Sequence, residues 1–328
     1  MLDLLKGLQS IVAACMPIQA GERVLVIAYN EPRSMLVGEM IMSIAESIGA
    51  ETVLTVMTPR EIAGHEPPAS VAAAMKNADA IIQVCEKASV AHTTARKEAA
   101  AMGAKFALML DVPLEDLKKG VSISDIQRIK DQTERLANLL TKGKVAKITT
   151  PFGTDLTLSL DGRESIAINP LGPGLYTIPY YAEAAISPVE GTAEGMIVAD
   201  LAMRGWGQLL REPLRCRVKA GRVVEILGST PDTDRMRKIA AADENAALIA
   251  ELGIGSSHIV PGEMKGTTQD FARLGTLHVA IGRNNDIGGR TWSRIHQDGL
   301  MSRPTVEVDN VCILKDGVLQ GEMRASRR

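Results

Sequence analysis

Between Gly21 and about Gly143, short apolar runs alternate with longer stretches of helical period: RVLVIAY, PRSMLVGEMIMSIAESIG, ETVLTVM, a helical stretch before ADAIIQVC, AHTTARKEAAAMG and KFALML. Continuous apolar runs separated by amphipathic segments are how the strands of a parallel sheet read when helices cover both faces. Gly49 and Gly103 stand where helix C-caps are wanted. Ahead of this alternation, Asp3 to about Cys15 reads as a further helix. From Ser124 to Leu140, Ile126, Ile129, Leu136 and Leu140 share one helical face, and Lys142-Gly143 supplies a stop. A domain boundary is expected here.

After Lys144 the period changes to two. VAKITTPFGTDLTLSLDG reads as a hairpin, and LRCRVKAGRVVEILG repeats the form with Ala220-Gly221 at its turn. One helix, from about Asp232 to Glu251, interrupts a region otherwise made of strands with Gly-rich connections. The expected architecture is an α/β, Rossmann-like scaffold domain over residues 1–143 with a parallel sheet. An α+β, strand-rich, metal-binding domain follows over 144–328. No internal repeat or low-complexity stretch interrupts this division.

A length of 328 residues exceeds what one core usually organises, which agrees with two domains. Hydrophobic residues make up 45% of the chain but aromatic ones only 3%, so the cores rest on aliphatic side chains and methionine. The net charge is −2, and no basic cluster with interleaved aromatics appears, so nucleic acid is not an expected partner. Cys15, Cys85, Cys216 and Cys312 are scattered without a CxxC pair, as in a protein with reduced thiols. The N-terminus lacks the basic start of a signal peptide, and no window approaches the roughly 18 apolar residues of a membrane span. A cytoplasmic protein with no membrane partner is expected.

Candidate chemistry lies in the second half. The first strand leads into Ala28-Tyr29-Asn30-Glu31-Pro32, with no glycine where a dinucleotide or phosphate loop needs bare backbone. The first domain therefore reads as a scaffold or oligomerisation unit. His65 and His92 each stand alone, whereas His258, His278 and His296 are close in sequence. On a strand, His296 and Asp298 would face the same side and could share a metal ion, or form a structural hydrogen-bonded pair. His278 lies in an otherwise apolar strand, GTLHVAIG, where it is either a ligand or a satisfied core histidine. Glu251 and Glu183 are acids among small and apolar neighbours. Their plainer alternatives are a solvated helix end for Glu251 and an exposed strand position for Glu183. Taken together, three carboxylates and two imidazoles match the needs of two divalent ions.

The segments AEAAISPVEGTAEG, ENAALIAELGIGSS, GTLHVAIGRNN and IHQDG, in that order, resemble the M29 metallo-aminopeptidases, the aminopeptidase T and S group. The resemblance covers roughly Tyr180 to Gly317. It implies metal ligands at Glu183, Glu251, His278, His296 and Asp298, two divalent ions (zinc, cobalt or manganese) and a homodimer. The implied activity is hydrolysis of amide bonds in a small-molecule or short-peptide substrate. The chain departs from the peptidases in its Gly-rich loop GRNNDIGGRTWSR, and no catalytic tyrosine or general base is assigned. Arg283, Arg290 and Arg294 around that loop are candidates for gripping a substrate carboxylate, or are solvated loop charges. Tyr180, in the turn-rich segment from Asn169, is a candidate for a rim over the site, or part of a packed connection. A related group, the 2,5-dihydroxypyridine 5,6-dioxygenases, uses one Fe(II), and His278, His296 and Asp298 alone would make a 2-His-1-carboxylate set suited to it. That group lacks acids matching Glu183 and Glu251 and has histidine at the latter position, so the resemblance favours the two-metal hydrolase.

Overall fold

The computed structural model describes residues 1–60, 65–91, 93–171, 176–177 and 179–320. His92 lies outside the described residues, as do 172–175, and of Tyr176 only the backbone is described. Two compact units emerge: Met1–Lys130 with Ile168–Tyr181, and Asp131–Ala167 with Ala182–Arg328. The single boundary expected after Gly143 differs from this division in two ways. The long helix that precedes it contributes residues to both units, and residues 168–181 return to the first.

The first unit contains α1 (Leu2–Cys15), β1 (Arg23–Tyr29), α2 (Pro32–Ile48), β2 (Glu51–Met57), α3 (Ala69–Lys76), β3 (Ala80–Cys85), α4 (Thr94–Ala101), β4 (Lys105–Leu110) and α5 (Leu114–Leu117). The helix α6 (Ile123–Lys142) leads out of it. Its sheet runs β2-β1-β3-β4-β8 with every pairing parallel. The central strands are mostly apolar because helices cover both faces; β3 is buried at all six positions, the polar Gln83 included. Gly49 closes α2 at φ +94°, a left-handed conformation that glycine adopts without a Cβ penalty. Tyr180 belongs to this unit. It is buried, and its hydroxyl donates to the Asp116 carbonyl at 2.6 Å, as in a packed connection.

The second unit begins with β5 (Val145–Thr149), β6 (Asp155–Ser159) and β7 (Ile166–Ile168); β8 (Tyr176–Thr177) is the strand that joins the first sheet. Then come β9 (Glu183–Ile186), β10 (Glu194–Ala199), β11 (Ala202–Met203), β12 (Leu214–Lys219), β13 (Arg222–Leu227), α7 (Pro231–Ala240) and β14 (Ile249–Gly255). A 3-10 turn over Thr268–Ala272 precedes β15 (Leu277–Gly282), β16 (His296–Met301), β17 (Thr305–Val308), β18 (Val311–Lys315) and β19 (Val318–Leu319). One sheet is ordered β13-β12-β10-β6-β5-β17-β18-β19, the other β11-β16-β15-β14-β9-β7. Both expected hairpins form, and Ala220 and Gly221, at φ +48° and +71°, make the tight turn of the second. Leu156, Leu158, Ile197 and Leu214 from the first sheet share one core with Ile186, Leu252, Ile254 and Val279 from the second.

The helix expected to reach Glu251 ends at Ala240. Asp243 stops it by offering its carboxylate to backbone donors: Oδ1 accepts from Asn245 N at 2.9 Å and Oδ2 from Arg294 N at 2.7 Å. The apolar run that follows is β14, buried at all seven positions, so no alternation announced it as a strand. Its pairing with β15 shifts between Ile249 and Glu251, leaving Ala250 as the extra residue of a β-bulge. Ile249 and Leu252 thereby both join the core, while Glu251 faces the other way.

Both tryptophans, Trp206 and Trp292, lie in the second unit. Leu252→Ala, which empties a fully buried position between Glu251 and Gly253, is expected to lower unfolding stability by about 2–5 kcal/mol. Urea titration followed by tryptophan emission checks this.

Candidate metal centre

The five sequence candidates meet on one face of the second sheet. Glu251 stands opposite Ala280, and Ala280 stands opposite Asp298, so the two acids flank a small residue across three strands. One row along, Gly253 faces His278; beyond it Gly255 faces Glu183 on β9. His296 and Asp298 project from β16 to the same side, as alternation on a strand requires. The floor between these polar heads is made of Gly253, Gly255 and Ala280, which leaves room for them above the backbone.

Glu251 is the shared element. One of its oxygens lies 3.5 Å from His278 Nε2 and the other 2.9 Å from His296 Nε2. Glu183 lies 3.3 Å from His278 Nε2, and Asp298 lies 3.1 Å from His296 Nε2. Two groups able to hold a metal ion result, Glu183–Glu251–His278 and Glu251–His296–Asp298, each with ligand atoms within 4.8 Å of one another. His278, His296 and Asp298 do not form such a group among the described residues. The glutamates are not the solvated positions that either plainer reading allowed: their side chains are 4% and 5% exposed. His296, at 22%, is the most open of the five, so solvent reaches the set from its side.

Arg204 was missed in the sequence. Its Nη1 lies 3.0 Å from Asp298 Oδ2, and its guanidinium stacks over Phe271 at 5.6 Å. The turn after β11 aims it: Arg204 N donates to the Asp298 carbonyl at 3.1 Å, and Gln297 Nε2 donates to the Arg204 carbonyl at 3.1 Å. Ninety-four residues separate Arg204 from Asp298, and an arginine between glycine-rich turns carries no local signal of such a role.

The loop between β15 and β16 is closed by Asn284, whose Oδ1 accepts from Thr291 N at 2.7 Å and whose Nδ2 donates to Glu190 at 3.2 Å. Glu190 also accepts from Arg290 N at 2.8 Å and pairs with Arg163. The closed loop sets the Arg283 carbonyl 2.7 Å from His296 Nδ1, which turns Nε2 toward Glu251 and Asp298. The Arg283 side chain pairs with Asp286 at 3.5 Å, while those of Arg290 and Arg294 are exposed. His258 is not in either ligand group.

Burial opposes charge on these residues, and their mutual attraction overrides it. Burial alone would raise the Glu251 carboxyl, but the His278 and His296 imidazoles hold it at about 2. Asp298 is likewise pulled below the carboxylate range against burial, by the charges of His296 and Arg204. Burial would lower both histidines, yet the carboxylates raise His278, chiefly through Glu183, and raise His296 well above its ordinary value, chiefly through Asp298. Three buried acids thus draw protons onto the imidazoles when no cation is present. His278 Nε2 and Asp298 Oδ1 are buried and meet charged partners at 3.1–3.5 Å without forming a regular hydrogen bond, which in a set of this charge fits a site built for divalent ions. The donors are oxygen and imidazole nitrogen without thiolate, a set suited to zinc, manganese, cobalt or iron. Cys15, Cys85 and Cys216 are buried and belong to neither ligand group, their thiols pushed up by desolvation.

Fold and site together define an enzyme of metal-dependent type. A family model described as NicX: 2,5-dihydroxypyridine 5,6-dioxygenase matches residues 4–321, and the chain belongs to that family. It is similar in fold to the 2,5-dihydroxypyridine dioxygenase of Pseudomonas putida KT2440, at 16% identity, 98% coverage of each chain and TM-score 0.80. It is similar also to wild-type AmpT from Thermus thermophilus, at 16% identity, 98% and 99% coverage and TM-score 0.67. No curated protein matches it in sequence. Among the described residues, no helix is long and apolar enough to cross a membrane.

Metal binding is expected to release protons. His278 and His296 must lose theirs to ligate, so zinc affinity should rise by about tenfold per pH unit for each proton displaced, up to the raised histidine values. Calorimetry in buffers of different ionisation enthalpy reads the proton count directly. Without the ion, the same imidazolium pairs stabilise the fold below the ordinary histidine pKa, and that stabilisation fades as pH climbs through the raised values.

Proposed function

We propose that this protein is a metal-dependent hydrolase of amide bonds, aminopeptidase-like, acting on a small-molecule or short-peptide substrate through two divalent ions. The observation that carries this reading is Glu251, whose two oxygens face two different ligand groups. A carboxylate so shared is the bridge that a dinuclear site requires. The sequence resemblance to the aminopeptidase T and S group and the fold shared with AmpT support it further.

Glu183 and His278 would hold one ion and His296 and Asp298 the other, with Glu251 common to both. Zinc, manganese or cobalt so held would supply Lewis acidity and a water whose pKa falls toward about 7. Arg204 keeps Asp298 ionised and oriented. The Arg283 carbonyl keeps the His296 ring turned to present Nε2. Because His296 and Arg204 are the more exposed members, at 22% and 28%, substrate would approach over them. Arg283, Arg290 and Arg294 are the nearby cations in sequence for a substrate carboxylate. The reading includes a homodimer working in the cytoplasm.

A second reading is a mononuclear Fe(II) dioxygenase that cleaves an aromatic ring, favoured by membership in the NicX family and by the similarity to the Pseudomonas enzyme. On this chain its ion would take Glu251, His296 and Asp298 rather than the His278-containing triad.

Metal analysis of protein purified without chelator separates the two. Two equivalents of zinc, manganese or cobalt with chelator-sensitive amide hydrolysis are expected. His296→Ala should abolish activity, and Glu183→Ala should lower the metal content from two ions to one. One equivalent of iron with oxygen consumption would replace this reading with the second. Unchanged metal content in both variants would remove the ligand assignment.

A further inference from the structure

The two histidines of the centre are oriented by different means. His296 is turned by a hydrogen bond from Nδ1 to the Arg283 carbonyl. His278 has no such partner: its Nδ1 is buried and makes no hydrogen bond, while Nε2 faces Glu183 and Glu251 at 3.3 and 3.5 Å. Ligand histidines are ordinarily held by a hydrogen bond on the nitrogen that does not bind metal. Something else must set the His278 ring.

Steric closure does so. Gly253 stands directly opposite His278 in the β14–β15 pairing. A Cβ added at Gly253 would lie 2.8 Å from His278 Cδ2 and nearer still to Nε2 and Cε1, inside the imidazole itself. The Nε2 end of the ring therefore occupies the space that a side chain at residue 253 would take. On another side Phe271 meets it edge-on, with ring centroids 5.6 Å apart at 64°. Gly253 is not demanded by its own backbone, since it lies within a strand and is absent from the positive-φ glycines. Its neighbour Gly255 answers to another constraint, because a Cβ there would meet the Arg273 and Phe271 carbonyls and the Thr276 hydroxyl. At Gly253 the three atoms nearest the added Cβ all belong to the imidazole.

We infer that Gly253 is a positioning residue of the centre, with Phe271 as its counterpart: the slot between them directs His278 Nε2 toward Glu183 and Glu251. With any side chain at 253 the imidazole must swing out of this slot, and the group Glu183–Glu251–His278 loses its nitrogen donor. The group Glu251–His296–Asp298, whose histidine is held by Arg283, keeps its donors. The inference rests on the two-ion reading for its metal count, but not for its geometry.

The test compares the full-length protein with Gly253→Ala and Phe271→Leu. Apo samples are first checked by circular dichroism and thermal melting, then titrated with zinc and crystallised. Gly253→Ala is expected to fall from two zinc equivalents to one tight equivalent. Phe271→Leu, which keeps the slot but loosens one wall, is expected to retain both with the weaker one reduced by about tenfold to a hundredfold. In the Gly253→Ala crystal, His278 Nε2 should no longer lie within hydrogen-bonding reach of Glu251. If it stays at its parent position, or if both ions bind the variant as they bind the parent, the inference is overturned. A parent protein that takes fewer than two ions defeats the dinuclear reading instead, and the position of His278 in the two crystals still decides the role of Gly253.

Discussion

Three carboxylates and two imidazoles occupy one face of a sheet whose other face is aliphatic core, and that face must balance their charge or lose its structure. Buried acids at this separation repel, and the Arg204 guanidinium on Asp298 offsets part of their charge. In the ion-free chain the carboxylates raise the proton affinity of His278 and His296, which works against the deficit. Divalent cations would meet it with the same ligands and without protons on the imidazoles. The features around the centre serve this exchange: Gln297 fastens the turn carrying Arg204, and Asn284 closes the loop carrying the Arg283 carbonyl.

The parallel sheet was legible in the chain because its central strands are short, mostly apolar runs and its helices are separated from them by glycine stops such as Gly49. The hairpins were legible for a different reason. Their strands alternate, with Leu214, Cys216 and Val218 inward and the residues between them outward, and Ala220-Gly221 has the chemistry of a tight turn. The division into units was not legible, because α6 reads as one helix whichever unit its residues belong to.

The centre was partly legible. His296 and Asp298 declare themselves by spacing once a strand is assumed, Glu183, Glu251 and His278 stand out as polar residues among small or apolar neighbours, and the resemblance to a peptidase family implies all five as ligands. Glu251 was nonetheless assigned to the wrong element, since a fully buried strand has no alternation to distinguish it from a helix. Arg204, Phe271 and Gly253 left no trace, because what they do depends on register across strands far apart in sequence. Arg290 and Arg294 were singled out by their place in the loop, and their side chains are exposed.

The bulge at Ala250 has a bearing on how this chain is compared with its relatives. It changes which parity of residue number faces the core, so positions before and after it cannot be matched by the same two-residue rhythm. An alignment that closes a one-residue gap there would set Leu252 or Ala250 in the column of the shared carboxylate and judge the centre lost. Correspondence between distant members of the family is better drawn from the ladder, with Ala280 and Asp298 as the reference points, than from the linear text of the strand.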